Sequence, residues 1–317
     1  MKTYALRRLA LLIPTLLGIS LLAFALANLT PGDPAETYLR RMLDRQPTPA
    51  EVAAKRKELG LDRPFVVQYL VWVGNAARGE LGVSYSTRRP VAEEIGRRIP
   101  FTLELALPAA ILALIIAIPV GVISAVYRNR LPDQVVRVFS LAGASVPSFW
   151  LALLLIGLFA VKFSLVPVAG RQGLASAFLP ILTLALAPAA VLARFTRSAM
   201  LETLGEDYVR AARAKGLPEW LVVGRHALRN SLIPVITAFG TTLGHLLVGA
   251  VVIESIFIWP GLGKLAIDAI LQRDYPVIQA LVLYSGVVFV GINLLIDLSY
   301  TLLDPRIRLG GTGQGAA

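Results

Sequence analysis

Long apolar segments divide this chain of 317 residues. Six of them contain no Asp, Glu, Lys or Arg, and a helix of about 20 apolar residues spans a bilayer. The six segments are Leu9–Gly32, Leu105–Tyr127, Val138–Val161, Gln172–Ala193, Asn230–Ile253 and Tyr275–Ile296. One such segment could be a buried core helix, but six leave little room for a soluble fold. The pattern therefore predicts an all-α polytopic membrane protein with six transmembrane helices.

Composition supports this class of protein. Hydrophobic residues make up 56% of the chain and charged residues 16%, whereas a soluble domain averages about 45–50% and 25%. The chain contains no cysteine, which excludes disulfides and cysteine-based metal sites. Prolines inside the apolar segments are tolerated in lipid where neighbouring helices satisfy the freed backbone groups. These prolines are Pro14, Pro108, Pro119, Pro147, Pro180, Pro188 and Pro234.

The first apolar segment has two interpretations. Lys2, Arg7 and Arg8 precede it, and it ends in Ala25-Leu26-Ala27, a pattern similar to a signal-peptide cleavage site. The run is longer than the apolar core of a signal peptide, about 7–15 residues, which favours a retained span. Cleavage would leave the next five spans in the same orientation.

The distribution of Lys and Arg predicts the orientation. The net charge is +11, and six spans with a cytoplasmic N terminus return the C terminus to the cytoplasm. Fifteen Lys or Arg then lie on the cytoplasmic side and four in the short outer loops, which is the bias typical of inner loops. The region 30–100 holds twelve more, but long loops translocate largely regardless of charge.

The long outer region is predicted to be helical. Thr48-Pro49-Ala50-Glu51 forms a capping box with proline at the first helical position, and this helix should end at Gly60. A second helix should follow Pro64, and its apolar face is formed by Phe65, Tyr69, Trp72 and Val73. A third helix should run from Pro90 to Arg98. Such faces need a cover, which the rim of the protein, lipid headgroups or an external partner could supply.

The basic stretch Met200–Ser231 is the largest predicted cytoplasmic loop. A helix from Glu206 to Lys215 should end at Gly216 in the left-handed conformation, and Pro218 can start the next helix. The stretch lacks a third helix or a core of its own, which disfavours a DNA-binding helix-turn-helix. Two interpretations stay open, namely anchoring on anionic lipid through its arginines and docking to a cytoplasmic protein.

Polar residues within the spans are candidates for the pathway or gate, because they are costly there and often functional. His245 lies near the middle of span five and is expected to line a pore or bond to a neighbouring helix. The two histidines, His226 and His245, do not form an evident metal pair, so neither a metal site nor a catalytic residue is predicted. The pathway or gate candidates are His245, Glu254, Trp259, Pro260, Asn293 and Asp297.

Span five ends in a predicted break. Pro260 removes a backbone donor, and Gly261 frees the backbone, so a hinge or re-entrant turn should follow Trp259. A mixed-charge patch beyond it is expected to be a solvated loop or a docking surface, and it consists of Lys264, Asp268, Arg273 and Asp274. Within the span, Gly240-x-x-x-Gly244 predicts close helix packing.

Several motifs resemble permease subunits of binding-protein-dependent ABC importers. Ala211-Ala212-x-x-x-Gly216 is similar to that family's Glu-Ala-Ala-x-x-x-Gly loop, although Arg210 replaces the leading Glu and His226–Arg229 replaces the Ile-x-Leu-Pro ending. The likeness covers nearly the whole chain and points to the B-type permease of the dipeptide and oligopeptide (peptide/nickel) branch. Its other motifs are NLTPGDPAE (28–36), GLDRPFVVQYLVWV (60–73), RRIPFTLELAL (97–107), SVPSFW (145–150), ESIFIWPGLGKL (254–265), RDYPV (273–277) and NLLIDLSYTLLDPRIR (293–308).

The resemblance implies a type I ABC importer (MetI-like) permease fold with a long extracytoplasmic loop after helix 1. The first helix lies in 1–29, the helical outer region in 30–97, and a cytoplasmic tail in 305–317. The permease domain occupies 98–304 and contains a coupling loop at 200–231. Its helices are expected at about 101–127, 138–161, 175–198, 232–256 and 278–301. The candidate coupling residues are Arg210, Ala211, Ala212, Lys215, Gly216, Arg225, His226 and Arg229.

The resemblance also implies the partners. They are a second, C-type permease subunit, two ATP-binding subunits that hold ATP and Mg²⁺, an extracytoplasmic solute-binding protein, and membrane lipid, with no nucleic acid. The chain has no G-x-x-x-x-G-K-[ST] motif, so it is expected to be a transport subunit of the bacterial inner membrane rather than an ATPase. Di- or oligopeptides are the expected substrate, and nickel or glutathione is the alternative. A membrane-embedded enzyme is disfavoured because His245 stands alone, and a stand-alone transporter because no internal repeat is evident.

Overall fold

The chain is helical throughout the part that the structure, a computed structural model, describes: residues 2–29, 32–43, 45–248 and 250–303. Over this part the only β pairing is an isolated bridge between Val83 and Pro90, so the prediction of an all-α protein is confirmed. Two segments are π-helical, Ile156–Lys162 and Val222–Ala227. The α-helices are α1 (Lys2–Leu29), α2 (Pro34–Leu43), α3 (Pro49–Glu58), α4 (Phe65–Ala77), α5 (Val91–Val126), α6 (Leu131–Ser145), α7 (Ser148–Leu155), α8 (Leu174–Leu204), α9 (Asp207–Ala214), α10 (Glu219–Leu221), α11 (Leu228–Val248), α12 (Val251–Ile256), α13 (Leu262–Leu271) and α14 (Tyr275–Leu303).

Four helical stretches among the described residues are long and apolar enough to cross a membrane. They are Val91–Val126, Leu174–Leu204, Glu219–Ile256 and Tyr275–Ile296, the third of which passes Gly249, a residue outside the described part. A bent pair of helices adds a fifth if it counts as one span, and the apolar stretch Leu12–Leu26 of α1 is shorter. Six spans therefore stay a prediction.

The span predicted over 138–161 is not one straight helix. The stretches Leu131–Ser145 and Ser148–Lys162 meet at an angle of 101°. Val146 between them is extended, with ψ of 124°, the conformation that a following proline such as Pro147 favours. Prolines inside the spans were expected to be tolerated because neighbouring helices satisfy the freed backbone groups. At Pro147 the chain nevertheless bends sharply.

The helix predicted from Pro90 to Arg98 and the span predicted from 101 to 127 form a single helix. Helix α5 has 36 residues, a length of about 54 Å at 1.5 Å per residue. Pro100 lies within it, so the loss of one backbone donor at this position does not end the helix. Glu93 and Glu94 in the first turn complement the positive end of its dipole.

The chain divides into two compact units. The first, called the N-terminal unit, comprises Lys2–Thr102 and Pro260–Val290, and the second, called the central unit, comprises Leu103–Trp259 and the described residues from Gly291 onward. The core of the N-terminal unit joins the start of α5 to α13 and α14. Its buried residues are Val91, Ile95, Leu262, Leu265, Ala269, Val277, Ala280 and Leu281.

Glycines allow close helix packing in the central unit. A Cβ at Gly121 in α5 would lie 2.7 Å from the carbonyl oxygen of Ala193 in α8. A Cβ at Gly240 in α11 would lie 2.2 Å from Cδ1 of Ile296 in α14, and Gly244 is also buried. The prediction of a packing patch at Gly240 and Gly244 is therefore confirmed.

The capping box predicted at Thr48 is also confirmed. The hydroxyl of Thr48 accepts from the backbone N–H of Glu51, and the Glu51 carboxylate accepts from the backbone N–H of Thr48. Arg45 and these hydrogen bonds hold the pKa of Glu51 at about 2, below its ordinary value. The helix is followed by Gly60 with φ of +68°, the left-handed conformation that favours glycine at a helix end.

Candidate functional site

The basic loop at 206–231 folds as the predicted helix-turn-helix. Helix α9 ends before Lys215, and Gly216 adopts φ of +77°. The backbone N–H of Gly216 donates to the carbonyl of Arg213 at 2.9 Å, which closes the helix end. Pro218 then precedes the short helix α10 and has extended backbone geometry.

A small apolar cluster holds the two arms of this loop together. Val209 and Val222 are fully buried and Ala212 is nearly so. Leu204 and Leu217 pack against them. Ala212, one of the candidate coupling residues, therefore lies on the inner face of the loop, where its small side chain lets the arms approach.

The outer face of the loop exposes most of the other candidates. His226 is half-buried, and the exposed ones are Arg210, Ala211, Lys215, Gly216, Arg225 and Arg229. Two aromatic residues that the sequence-based set omits share this exposure, since Trp220 is 75% exposed and Tyr208 41%. The sequence could have indicated both residues, because each is an aromatic residue on a short helix near the turn at Gly216, where few apolar residues are available to bury it.

Local ion pairs brace the turn. Arg213 in α9 donates to the carboxylate of Glu219 in α10 at 2.6 and 3.1 Å. This hydrogen bond to Glu219 raises the pKa of Arg213 above its ordinary value. Arg210, which replaces the leading Glu of the family loop, pairs with Asp207 of its own helix. Arg210 and Arg213 are thus paired over short distances, and both pairs remain on the surface of the loop.

A buried carboxylate, which sequence reasoning missed, lies near the end of helix α5. Asp133 accepts from Nε and Nη2 of Arg197 at 2.7 and 2.9 Å, from Oγ of Ser124 at 2.6 Å and from the backbone N–H of Asn129 at 2.9 Å. These bonds join α5, α6 and α8. Helix α8 ends at Leu204, directly before the 206–231 loop, so this cluster fixes the helix from which the loop emerges. The pairing of Asp133 with Arg197 could not be read from neighbouring residues, because Arg197 lies 64 residues away.

The pathway or gate candidates lie in different environments. Glu254 and Trp259 are fully buried, and Pro260 is half-buried. His245 and Asn293 are exposed on the surface of this chain, and the side chain of Asp297 lies outside the described residues. In the central unit the carboxylate of Glu104 lies 3.0 Å from Nε of Arg171.

The predicted break after span five is confirmed. Helix α12 ends at Ile256, and α13 begins at Leu262. Between them Ile258 has φ of +51°, which is strained for a β-branched residue. The backbone N–H of Gly170 donates to the carbonyl of Phe257 at 2.8 Å, so another segment of the central unit holds this bend.

The prediction of a mixed-charge surface patch beyond the break is wrong for Asp274. Asp274 is 2% exposed. Its carboxylate accepts from Oγ of Ser84 at 2.5 Å and from the backbone N–H groups of Tyr85 and Ser86 at 3.1 Å. Asp268 is on the surface and pairs with Lys264 at 3.0 Å. Asp274 is therefore a buried hydrogen-bond centre of the N-terminal unit and is not available to an external partner.

Two family models match the chain. The model described as "Binding-protein-dependent transport system inner membrane component" matches residues 117–309. The model described as "Binding-prot-dependent transport system membrane comp, N-term" matches residues 1–106. In such importers ATP acts on partner ATPase subunits. Within the described part of the chain, no group of three or more His, Asp or Glu residues could hold a metal ion.

Characterised relatives match along their full length. The chain is 44% identical over 308 residues to the glutathione transport system permease protein GsiC of Escherichia coli strain CFT073 and 43% identical to GsiC of strain K12, covering 97% of this chain and 99% of each relative. Among solved structures, the inward-facing methionine ABC transporter MetNI matches with a TM-score of 0.57 and 21% identity, over 66% of this chain and 96% of that one. The chain belongs to the family of inner membrane components of binding-protein-dependent transport systems, and it is a multi-pass permease subunit of an ABC importer in the peptide/nickel-type branch.

Proposed function

We propose that this chain forms half of a pathway that imports short peptides, with glutathione as the first candidate substrate. The observation that supports this proposal is the 43–44% identity to GsiC over 97% of the chain. Glutathione is a γ-linked tripeptide, so it lies within the peptide class expected from the sequence. The prediction of di- or oligopeptides differs from it only in the linkage and length of the cargo.

We further propose that the 206–231 loop couples this pathway to the partner ATPases. Arg210 and Arg213 pair within the loop, and its exposed face presents a turn, two aromatic side chains and basic groups. Exposed tryptophan and tyrosine residues are typical centres of binding energy in protein interfaces. The excess of Lys and Arg on the loop side supports a cytoplasmic location for the loop and for both termini.

The partners proposed for the complex complete this pathway. A second, C-type permease subunit would supply the other half, and a solute-binding protein would deliver the cargo from outside. ATP binding would draw the two ATPases together and move the loops, which changes the side on which the pathway is open. The cargo shifts this equilibrium only through its different affinities for the two states.

Transport by the purified complex tests the substrate. The complex, assembled with its partner subunits, is reconstituted in proteoliposomes with ATP at the ATPase side. We expect uptake of radiolabelled glutathione that depends on the binding protein, and no uptake with a non-hydrolysable ATP analogue. Uptake of an α-linked dipeptide but not of glutathione would identify dipeptides as the substrate. Uptake of nickel but of neither peptide would reject the peptide class.

A further inference from the structure

Helix α4 in the N-terminal unit is apolar on nearly all sides. Its sequence FVVQYLVWVGNAA contains only Gln68 and Asn75 as hydrogen-bonding polar residues besides Tyr69 and Trp72. No residue of the helix is buried. A helix that is hydrophobic all round belongs in a core or in a membrane, and this helix has no core around it.

One side of α4 packs on the first helix. The ring of Phe24 in α1 lies 5.2 Å from Phe65, 5.7 Å from Tyr69 and 5.7 Å from Trp72. These three residues follow each other at one-turn spacing, so α4 crosses α1 near Phe24. The hydroxyl of Tyr69 lies 2.8 Å from Oγ of Ser20 and donates to the carbonyl of Leu17 at 3.3 Å.

These contacts fix the depth of α4 along α1. Phe24 lies five residues before Leu29, the end of α1, which is about 7.5 Å along a helix that rises 1.5 Å per residue. Leu17 lies about 18 Å from that end by the same rise. The hydroxyl of Tyr69 therefore contacts α1 about 18 Å from its C-terminal end. The α4 helix itself crosses α1 near Phe24, closer to that end.

The packing of α1 on α14 places this depth in the bilayer. A Cβ at Gly286 would lie 2.7 Å from Cγ2 of Ile19, so the two helices touch there. Gly286 lies about 16 Å from Tyr275, and Ile19 about 15 Å from Leu29, at 1.5 Å per residue. Tyr275–Ile296 is long and apolar enough to cross a membrane, and with its first residue at the membrane surface Phe24 and α4 would lie just below that surface.

The other sides of α4 show how it is oriented. Gln68 and Asn75 line a cavity of about 570 Å³ together with Tyr85 and Gln279. At 100° per residue, Val66 and Leu70 point away from these polar residues. Val66 is 63% exposed and Leu70 59%. Charged residues flank both helix ends, namely Asp62 and Arg63 before it and Arg78 and Glu80 after it.

We infer that α4 lies in the plane of the membrane surface, with Val66, Val67 and Leu70 immersed in the acyl chains of the phospholipids of that leaflet. An interfacial helix buries its apolar face about 5–10 Å into the boundary of headgroups and chains, which matches the depth at Phe24. The charged ends reach water only if the helix lies flat, and Tyr69 and Trp72 occupy the depth that these residues favour. The occupant of the exposed face is lipid, and this inference is independent of the proposed substrate.

Nitroxide scanning tests the inference, because the chain has no native cysteine. Val66→Cys and Leu70→Cys are labelled on the lipid face, and Asn75→Cys on the same helix and Ala54→Cys on exposed α3 are the matched controls. The complete transporter is reconstituted in vesicles of phosphatidylethanolamine and phosphatidylglycerol. Collisions with oxygen, which concentrates in lipid, are compared with collisions with a water-soluble nickel chelate.

We expect oxygen collisions to dominate at 66 and 70 and nickel-chelate collisions to dominate at 54 and 75. Val67→Cys, also on the exposed face, serves as the second lipid-facing position if either variant assembles poorly. Dominance of the nickel chelate at all positions would place α4 in water and overturn the inference. Loss of both kinds of collision at 66, 67 and 70 would overturn it in favour of a protein partner that covers this face.

Discussion

The 206–231 loop and the segment from Gly261 to Pro276 are both short helical connections with mixed charge, but the charges have different roles in them. In the loop, Arg213 pairs with Glu219 across one turn, and both side chains remain about half exposed. In the segment, Asp274 is buried against Ser84, which lies 190 residues away in the sequence. Exposed, locally paired charges leave a surface free for a partner. A buried charge with distant partners holds its own unit together.

This difference assigns separate roles to residues that are alike in composition. The apolar side of the loop is small, with Val209, Ala212 and Val222 as its buried cluster. The segment contributes Leu262, Leu265 and Ala269 to the buried core of the N-terminal unit. We therefore expect substitutions in the segment to act on stability, and substitutions in the loop to act on coupling.

The largest effect on stability is expected at Asp274. Asp274→Ala removes the carboxylate that accepts from the buried hydroxyl of Ser84 and from the N–H groups of Tyr85 and Ser86, the last of which also donates to Oγ of Ser84. Ser84 is buried, whereas Tyr85 is half-buried and Ser86 exposed. Since a hydrogen bond to a charged group contributes about 1.5–3 kcal/mol, and less where water can replace it, the free energy of unfolding should fall by about 3 kcal/mol. Thermal unfolding of the purified complex measures this loss.

Asp268→Ala is the matched control for this comparison. Its side chain is 36% exposed and pairs with Lys264 one turn away, and surface pairs contribute about 0–1 kcal/mol. Equal unfolding temperatures for the two variants would show that Asp274 does not hold the unit together. The same contrast makes Asp268 the suitable position for a charge reversal that tests docking of a binding protein.

Local signals allowed much of this fold to be predicted. The capping box at Thr48 and the left-handed turn at Gly216 depend on residues within a few positions of each other, and the structure contains both. The bend before Pro147 also has a local cause, but one proline signal predicts either a tolerated kink or a sharp break. The neighbouring helices decide between these outcomes, and the sequence does not specify them.

The buried charges could not be predicted in the same way. The arginine that pairs with Asp133 lies 64 residues away, and the groups bonded to Asp274 lie up to 190 residues away. The neighbouring residues alone therefore do not distinguish these acids from the partly exposed Asp268. The candidate coupling set had the opposite difficulty. A motif match selected Ala212, which packs inward, and passed over Trp220, which is exposed.

An intermediate effect is expected at the turn of the loop. Gly216 has φ of +77°, and a Cβ added there would have no atom within 4 Å, so the cost of a side chain is conformational rather than steric. Gly216→Val should destabilise the turn by about 1–2 kcal/mol, which is what the left-handed conformation costs such a residue. We expect the protein to remain inserted, while uptake falls and loaded binding protein no longer stimulates ATPase activity.

Gly216→Asn separates the backbone effect from the presence of a side chain. Asparagine tolerates the left-handed conformation at a helix end, so this variant should retain most of the stimulation. Normal uptake by Gly216→Val would remove the coupling assignment of this turn. Equal loss in both variants would show that the partner needs the space itself and not the conformation.

The smallest effect on stability is expected at Trp220, where the effect on coupling should nevertheless be large. The side chain is 75% exposed, so Trp220→Ala should change the free energy of unfolding by no more than about 0.5 kcal/mol. If Trp220 enters a pocket of the ATPase, its truncation should cost about 2 kcal/mol or more of binding, and each 1.4 kcal/mol weakens binding about tenfold. Co-purification of the ATPases and ATPase activity stimulated by the binding protein report this loss, and Trp220→Phe, which keeps an aromatic ring, should recover part of it. Full coupling in Trp220→Ala at unchanged stability would show that the exposed face of the loop does not contact the ATPase. The expectation that substitutions in the loop act on coupling, and those in the 261–276 segment on stability, would then be wrong for the loop.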